Sequence, residues 1–380
     1  MDRHLIRGPT GSQLSARNIR ITHMQDYTAG ARSGASTRIP TCGDPAFDLR
    51  VKELVRDWGC DVAPEFVEGI MITALKMARD KIAVADMKLA NRSLNELRYA
   101  ARTFAPFRGA RKVCVFGSAR TSPDAGEFIA AEEFTRKMRE QGYMTITGGG
   151  DGIMGAAQRG AGRDFSFGLN IRLPFEQRAN ETIHGDDKLI NFNYFFTRKL
   201  NFVKESHAIV LFPGGFGTMD EGFEVLTLMQ TGKARIFPLV LVDKPGGTYW
   251  KTLFKFVTDY LLKFGLISED DLNLFHGAPD VDDAVAHILQ FYKVYRSYRW
   301  VGNRMVVRLK HRISEVSVKK LSTDFADVLA SGAIVQTQAL PEEANEPDIA
   351  DLPRLVFTPH RRNFGRIRCL IDGINLAEPE

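Results

Sequence analysis

The sequence predicts an α/β fold, a doubly wound parallel sheet with an N-terminal helical cap and a small C-terminal α+β appendage. Three observations predict it. Between Arg111 and Phe264, short apolar runs alternate with stretches of helical periodicity, as in a sheet covered on both faces. Two of those runs lead into glycine turns, at 148–152 and 213–217, and each turn opens a helical pattern. Residues 47–107 instead carry apolar side chains at three- and four-residue spacing.

In chain order, residues 1–45 are rich in Arg, Ser, Thr and Gly and read as a flexible tail. An organelle transit peptide has a similar composition, but an apolar signal core is missing. Residues 46–108 form the cap, with Leu89, Leu94, Leu97 and Ala101 as one stripe and no visible chemistry. The Rossmann-like nucleotide-binding unit spans 109–300. Its strands are expected at 112–116, 143–147, 165–173, 188–192, 208–212 and 236–242, and its helices at 123–140, 156–161, 197–206, 221–230, 249–264 and 282–294. In the appendage, 301–380, strands are expected at 305–309, 333–336 and 355–357 around a helix at 318–329, with an acidic loop at 341–352.

A chain of 380 residues with 44% hydrophobic and 26% charged residues is globular and has room for a sizeable core. No apolar run approaches the ~18 residues that cross a membrane, so no membrane partner is expected. The net charge of +5 suits small anions and argues against nucleic acid. Cys42, Cys60, Cys114 and Cys369 are isolated, and the histidines have no ligand spacing. Neither disulfide, metal nor cofactor is expected, and the cytoplasm is the default compartment. His207 reads as a helix-end residue.

The chemistry gathers around Pro213-Gly214-Gly215-Phe216-Gly217-Thr218-Met219-Asp220-Glu221. The buried run 208–212 precedes it, and a helix stopped by Gly232 follows. A glycine turn at a helix N-terminus offers backbone N–H groups to an anion, phosphate above all. Glu221 and Glu224 stand one turn apart beside that anion site. In a doubly wound sheet the loops at the strands' carboxyl ends share one crevice. Gly117-Ser118, Gly149-Gly150, Glu176 and Gly214 to Thr218 are therefore expected to meet there. A plain connection with a solvated helix face is the alternative for any one of these turns taken alone.

Gly150-x-Gly152-x-x-Gly155, with Glu176 about 20 residues on, also fits a dinucleotide fingerprint. That fingerprint belongs on a first strand, however, and here it follows the second. It gives no role to the second glycine turn or to Arg198-Lys199, whereas a mononucleotide would use both turns.

Thr147-Gly148-Gly149-Gly150-Asp151-Gly152-Ile153-Met154-Gly155, then Arg198-Lys199, then 213–221 with Glu224-Val225, resemble the signature of the Lonely Guy family. Its members are nucleoside 5′-monophosphate phosphoribohydrolases, often labelled lysine decarboxylases. The likeness covers about 110–295, and the flanking extensions resemble larger bacterial nucleotide nucleosidases more than the compact plant enzymes. The resemblance implies Arg198 and Glu221 as the catalytic pair. It implies Lys199, Gly215, Phe216, Gly217, Thr218, Asp220, Glu176 and Thr227 as substrate contacts, and a homodimer or larger homo-oligomer. In this scheme Gly215, Gly217 and Thr218 hold the 5′-phosphate while Glu221 faces the anomeric carbon, and Glu224 or Glu176 takes ribose hydroxyls. Ser118 is expected to assist at the phosphate or to serve as a strand-end cap, and without the resemblance Thr227 reads as packing. Decarboxylation would need a Schiff-base lysine, and none has that setting. The expected activity is hydrolysis of nucleoside 5′-monophosphates, AMP-like or cytokinin riboside monophosphates, to base and ribose 5-phosphate. The competing expectation is a nucleotide-sensing or carrier protein without turnover.

Overall fold

The computed structural model describes residues 41–173 and 178–380. The expected tail, up to residue 40, and Glu176 lie outside the described residues. Three helices open the described chain: α1 (Pro45–Asp57), α2 (Pro64–Arg79) and α3 (Val84–Phe104). Asp44 starts α1 by accepting the amides of Ala46 and Phe47, with proline at the first helical position. The stripe on α3 differs from the expected one. Glu96, Ala100 and Phe104 are its buried residues, while Leu89 and Leu94 stay exposed.

The sheet unit follows as β1 (Lys112–Phe116), α4 (Gly126–Glu140), β2 (Met144–Thr147), α5 (Ile153–Ala161), β3 (Ser166–Ile171), β4 (Leu189–Phe192), α6 (Phe195–Glu205), β5 (Ala208–Leu211), α7 (Phe216–Gln230), β6 (Leu239–Val242), α8 (Tyr249–Phe256), β7 (His276–Ala278) and α9 (Val281–Phe291). All seven strands are parallel, in the order β4-β3-β2-β1-β5-β6-β7. This is the doubly wound sheet of the sequence reading. Its strands are near-continuous apolar runs because both faces are covered. Cys114 and Phe116 of β1 join Phe104, Phe167 and Phe202 on one face. Val113 and Val115 join Phe134, Ile153 and Ala156 on the other. Phe104 stacks on Phe167 at 4.4 Å, which fixes α3 to the sheet.

Three boundaries are corrected. The helix after the second glycine turn begins at Phe216, not Glu221, so Gly217, Thr218 and Asp220 are helical and the turn is only 213–215. The helix at Tyr249 stops as α-helix at Phe256 and widens into a π-helical turn over Val257–Leu262. A strand at His276–Ala278 extends the sheet at its edge.

Beyond it, β8 (Tyr295–Val301), β9 (Arg304–Leu309), α10 (Glu315–Asp324), β10 (Leu329–Thr337), β11 (Arg354–Pro359) and α11 (Phe364–Leu376) form the second unit. Its antiparallel sheet has the order β10-β11-β9-β8 and is packed by α11 through Ile367, Leu370, Ile371 and Ile374. β8 begins before the boundary expected at 301 because it pairs with β9. The segment expected as an acidic loop carries Glu343 and Glu346, both buried. Arg308 and Arg354 donate to Glu343, and Arg308 also pairs with Glu346.

Candidate active site

Strand order reverses between β1 and β5, which is where an open α/β sheet makes its crevice. The two strands end in register, Phe116 beside Leu211. The Phe212 amide donates to Phe116 O at 2.9 Å, and the Ser118 amide donates to Pro213 O at 3.1 Å. Ser118 O in turn accepts the Ile153 amide at 3.0 Å, so the β1, β2 and β5 loops are bonded to one another through Ser118. The glycines permit this. Gly152 sits at φ +61°, and a Cβ there would lie 2.3 Å from Ser118 O. A Cβ on Gly214 would lie 2.1 Å from Thr218 Oγ1.

Gly215 caps α7, and its carbonyl accepts the amides of Thr218 and Met219. That leaves the first two helical amides, Phe216 and Gly217, at the open positive end. The Phe216 ring is 96% exposed there. Tyr249, from the start of α8, donates its hydroxyl to Gly214 O at 2.6 Å and pins the turn from outside.

Charge gathers one turn deeper. Glu221 is only 4% exposed, and burial pushes its carboxyl up to about 7 against the pull of Lys199 and Arg198. Arg198 Nη2 stands 3.9 Å from Glu221 Oε1, beyond hydrogen-bond range. Its guanidinium lies over Phe195 and Phe202 at 4.9 and 5.5 Å, and its Nε is buried without a partner among the described residues. Lys199 Nζ pairs with Asp220 at 2.7 Å and with Glu224 at 2.8 Å. Burial works against the Lys199 charge, but Asp220 and Glu224 outweigh it and hold the ammonium above its usual range. Beneath them Cys114 of β1 is driven well up by burial first and then by the Glu221 charge.

The structure thus brings Arg198, Lys199, Asp220, Glu221 and Glu224 into one cluster and joins Ser118 to the 213–215 turn through the Pro213 carbonyl. Gly149 differs in kind. Its amide donates to Thr147 Oγ1 and its carbonyl accepts from Asn180, whose side chain also binds Gly150 O. Both groups are bonded within the loop. Thr227 is exposed, its hydroxyl donating to Phe223 O, away from the cluster's bonds.

Three positioning residues escape a sequence reading: Tyr249, Asn180 and Glu96. Glu96 corrects the view of the cap as chemically silent. Its carboxylate accepts the Asn193 amide at 2.8 Å and the Asn193 and Thr197 side chains, so α3 caps the helix that carries Arg198 and Lys199. The available signal was an acid in register with Ala100 and Phe104, at i+4 and i+8 on one helix face.

Comparison with known proteins follows the same segment. The family model described as "Possible lysine decarboxylase" matches residues 153–288. Two probable cytokinin riboside 5′-monophosphate phosphoribohydrolases of Oryza sativa subsp. japonica are similar. One is 28% identical over 186 residues (48% of this chain, 72% of the relative), the other 30% identical over 191 residues (48% and 78%). Among solved structures, the molybdenum cofactor carrier protein of Chlamydomonas reinhardtii aligns over 48% of this chain and 97% of its own. Its TM-score is 0.34 and its identity 21%. These plant relatives account for about half of this chain. On the identity and coverage of the rice relatives, the chain belongs to the Lonely Guy family of phosphoribohydrolase-related proteins.

Proposed function

We propose that this chain hydrolyses the N-glycosidic bond of nucleoside 5′-monophosphates, releasing free base and ribose 5-phosphate. The observation that carries the reading is a buried Glu221, its carboxyl near 7, set opposite Arg198 one turn below an open helix N-terminus. A phosphate monoester seated on the Phe216 and Gly217 amides, with Lys199 as the nearby cation, holds the ribose against that carboxylate. The C1′–N bond breaks with its electron pair on the base. Water forms the new C1′–O bond, and Glu221 takes the water proton, which passes finally to the departing base nitrogen. The same carboxylate stabilises the positive charge that grows on the ribose. A carboxyl near 7 is well matched to a general base at neutral pH. Arg198 keeps its proton throughout, so its work is electrostatic.

The proposed substrates are AMP-like, cytokinin riboside monophosphates included, a reading supported by relatives described as probable cytokinin riboside 5′-monophosphate phosphoribohydrolases. Decarboxylation finds no support in Lys199, which is ion-paired to two acids and is not the free amine a Schiff base needs. Exposed apolar side chains on the cap, Trp58 at 87% among them, are surface that a second copy would cover, which sedimentation tests. Incubation with AMP, GMP, CMP and UMP, followed by chromatography of the released base, tests the activity. Binding of every nucleotide with no base released would make this a carrier or sensor.

A further inference from the structure

A second charged concavity lies at the opposite edge of the sheet. Arg111 immediately precedes β1 and Tyr143 precedes β2, so both stand at the amino ends of strands whose carboxyl ends bear the catalytic loops. Across from them are Gln290 and Lys293, at the end of α9, and Lys310, at the end of β9. They enclose an open cavity of about 560 Å³ between the parallel sheet and the second unit. No residue lining it is acidic, and no carboxylate pairs with Arg111, Lys293, Arg296 or Lys310 among the described residues.

Arg111 is held in place. Its guanidinium lies 4.0 Å over the Tyr292 ring, and Nη1 donates to Tyr143 Oη at 3.2 Å. That stack leaves further N–H groups of a planar fork to face the opening. Arg296 is near enough to be felt at Lys310. Burial first, and then Arg111 and Arg296, hold the Lys310 ammonium below its usual range. Arg296 is lowered in the same way, by burial and then by Arg111 and Arg308.

The simplest explanation for cations here is the helix dipole, because α4 and α9 both end at this cavity. Each helix end supplies about −0.5 of a charge, together about −1, against the three cations that line the cavity, Arg111, Lys293 and Lys310. About two positive charges remain without a counter-charge among the described residues. Cations that repel one another across a concavity gain from an anion of matching charge and reach.

We propose that this cavity binds a small molecule carrying two linked phosphate groups, bridging Arg111 and Lys293 of the parallel-sheet unit to Lys310 of the second unit. The guanidinium fork suits bidentate phosphate recognition, and two linked phosphates bring more charge than one to these cations. Such a ligand ties the two units together, so occupancy raises the melting midpoint. The inference is independent of the hydrolytic reading, since its test reads binding and not turnover.

The probe is inorganic pyrophosphate, titrated by calorimetry and thermal melting into the full chain, with orthophosphate as the weaker control and ADP as a second arm. Saturable pyrophosphate binding with a raised midpoint is expected. It should weaken at least ~10-fold in Arg111→Gln/Lys310→Gln and persist in Lys199→Gln, which alters only the catalytic edge. Lys310→Gln alone replaces an exposed side chain. It should keep the ligand-free midpoint while binding more weakly, which separates lost binding from lost folding. ADP binding that is tighter than pyrophosphate's, is lost in Arg111→Gln/Lys310→Gln and persists in Lys199→Gln would place a nucleoside in the same cavity and supports the site. Binding lost in Lys199→Gln but kept in Arg111→Gln/Lys310→Gln overturns the proposal, as does no binding at millimolar pyrophosphate.

Discussion

Arg198 and Glu221 face each other without touching: 3.9 Å separates Nη2 from Oε1, and the rings of Phe195 and Phe202, not the carboxylate, hold the guanidinium. A closed bidentate pair would leave the acid ionised and occupied. The gap instead leaves the Glu221 lone pairs available and its carboxyl near 7, with burial as the dominant cause. It also leaves the Arg198 Nε buried without a partner among the described residues, an energetic cost a substrate can relieve.

The first prediction follows from that gap. Glu221→Gln keeps the size and burial of the side chain but cannot take a proton or answer positive charge on a ribose. Turnover of AMP should fall at least ~100-fold, while calorimetry still shows nucleotide binding. Hydrolysis at the parent rate would remove Glu221 from the mechanism.

The second concerns pH. Ionised Glu221 is the active form, so turnover should rise with pH and level off above about 7. Stability runs the other way. The folded value near 7 exceeds the ordinary 4.5, so between these values the folded chain binds a proton that the unfolded chain does not. Stability is therefore greatest at the acid end of that window and declines as pH rises through it. From about pH 5.5 to 7 the decline is about 2 kcal/mol. Glu221→Gln should lose this component, giving denaturation midpoints that change less over the interval than the parent's. Parallel curves for the two proteins would contradict it.

Much of this arrangement is legible in the residues. Runs such as 113–116 and 208–212 declare strands buried on both faces, and the two glycine turns mark the edge where the loops meet. What stays hidden depends on partners distant in sequence. The apolar spacing of Phe223, Leu226 and Met229 marks a helix only from Glu221, and the glycines before it disfavour helix. Packing of Thr218 over Gly214, and of Gly222 against Leu211, overrides that preference. His276–Ala278 has no apolar run and is a strand only because β6 offers an open edge. The Ile367, Leu370, Ile371 and Ile374 stripe had helical spacing all along, so α11 was readable, unlike the bond from Glu96 to a helix about a hundred residues away.

That bond supports the third prediction. Glu96 satisfies the Asn193 amide and the Thr197 hydroxyl and places a negative charge at the positive end of α6. Glu96→Ala should cost about 1–2 kcal/mol of stability and let the first turn of α6 shift. Because Arg198 and Lys199 ride on that turn, kcat should drop about 10-fold or more with KM changed less. Glu96→Gln, which keeps acceptors for part of the network, should recover some of both. Loss of stability with unaltered kcat would make Glu96 a packing residue only.

The last prediction lies in the second unit, where Glu343 is buried among Arg308, Arg354 and the Leu340 amide. Burial works against its charge, yet these donors outweigh it and hold the carboxyl below its usual 4.5. For a depressed carboxyl, the stabilisation is complete above the unfolded value of 4.5 and disappears as pH falls through the lower folded value. At neutral pH, Glu343→Gln leaves Arg308 with Glu346 but strips the fully buried Arg354 of its carboxylate partner. Breaking one side of a buried pair costs about 3–5 kcal/mol, far more than a surface pair. Thermal melting at pH 7 should show that loss. Glu343→Gln combined with Arg354→Met should regain part of it, because the stranded charge is then removed as well. If the double variant melts lower still, the network contributes through packing and not through charge, and Glu343 then acts mainly as a shaped acceptor for the Leu340 amide.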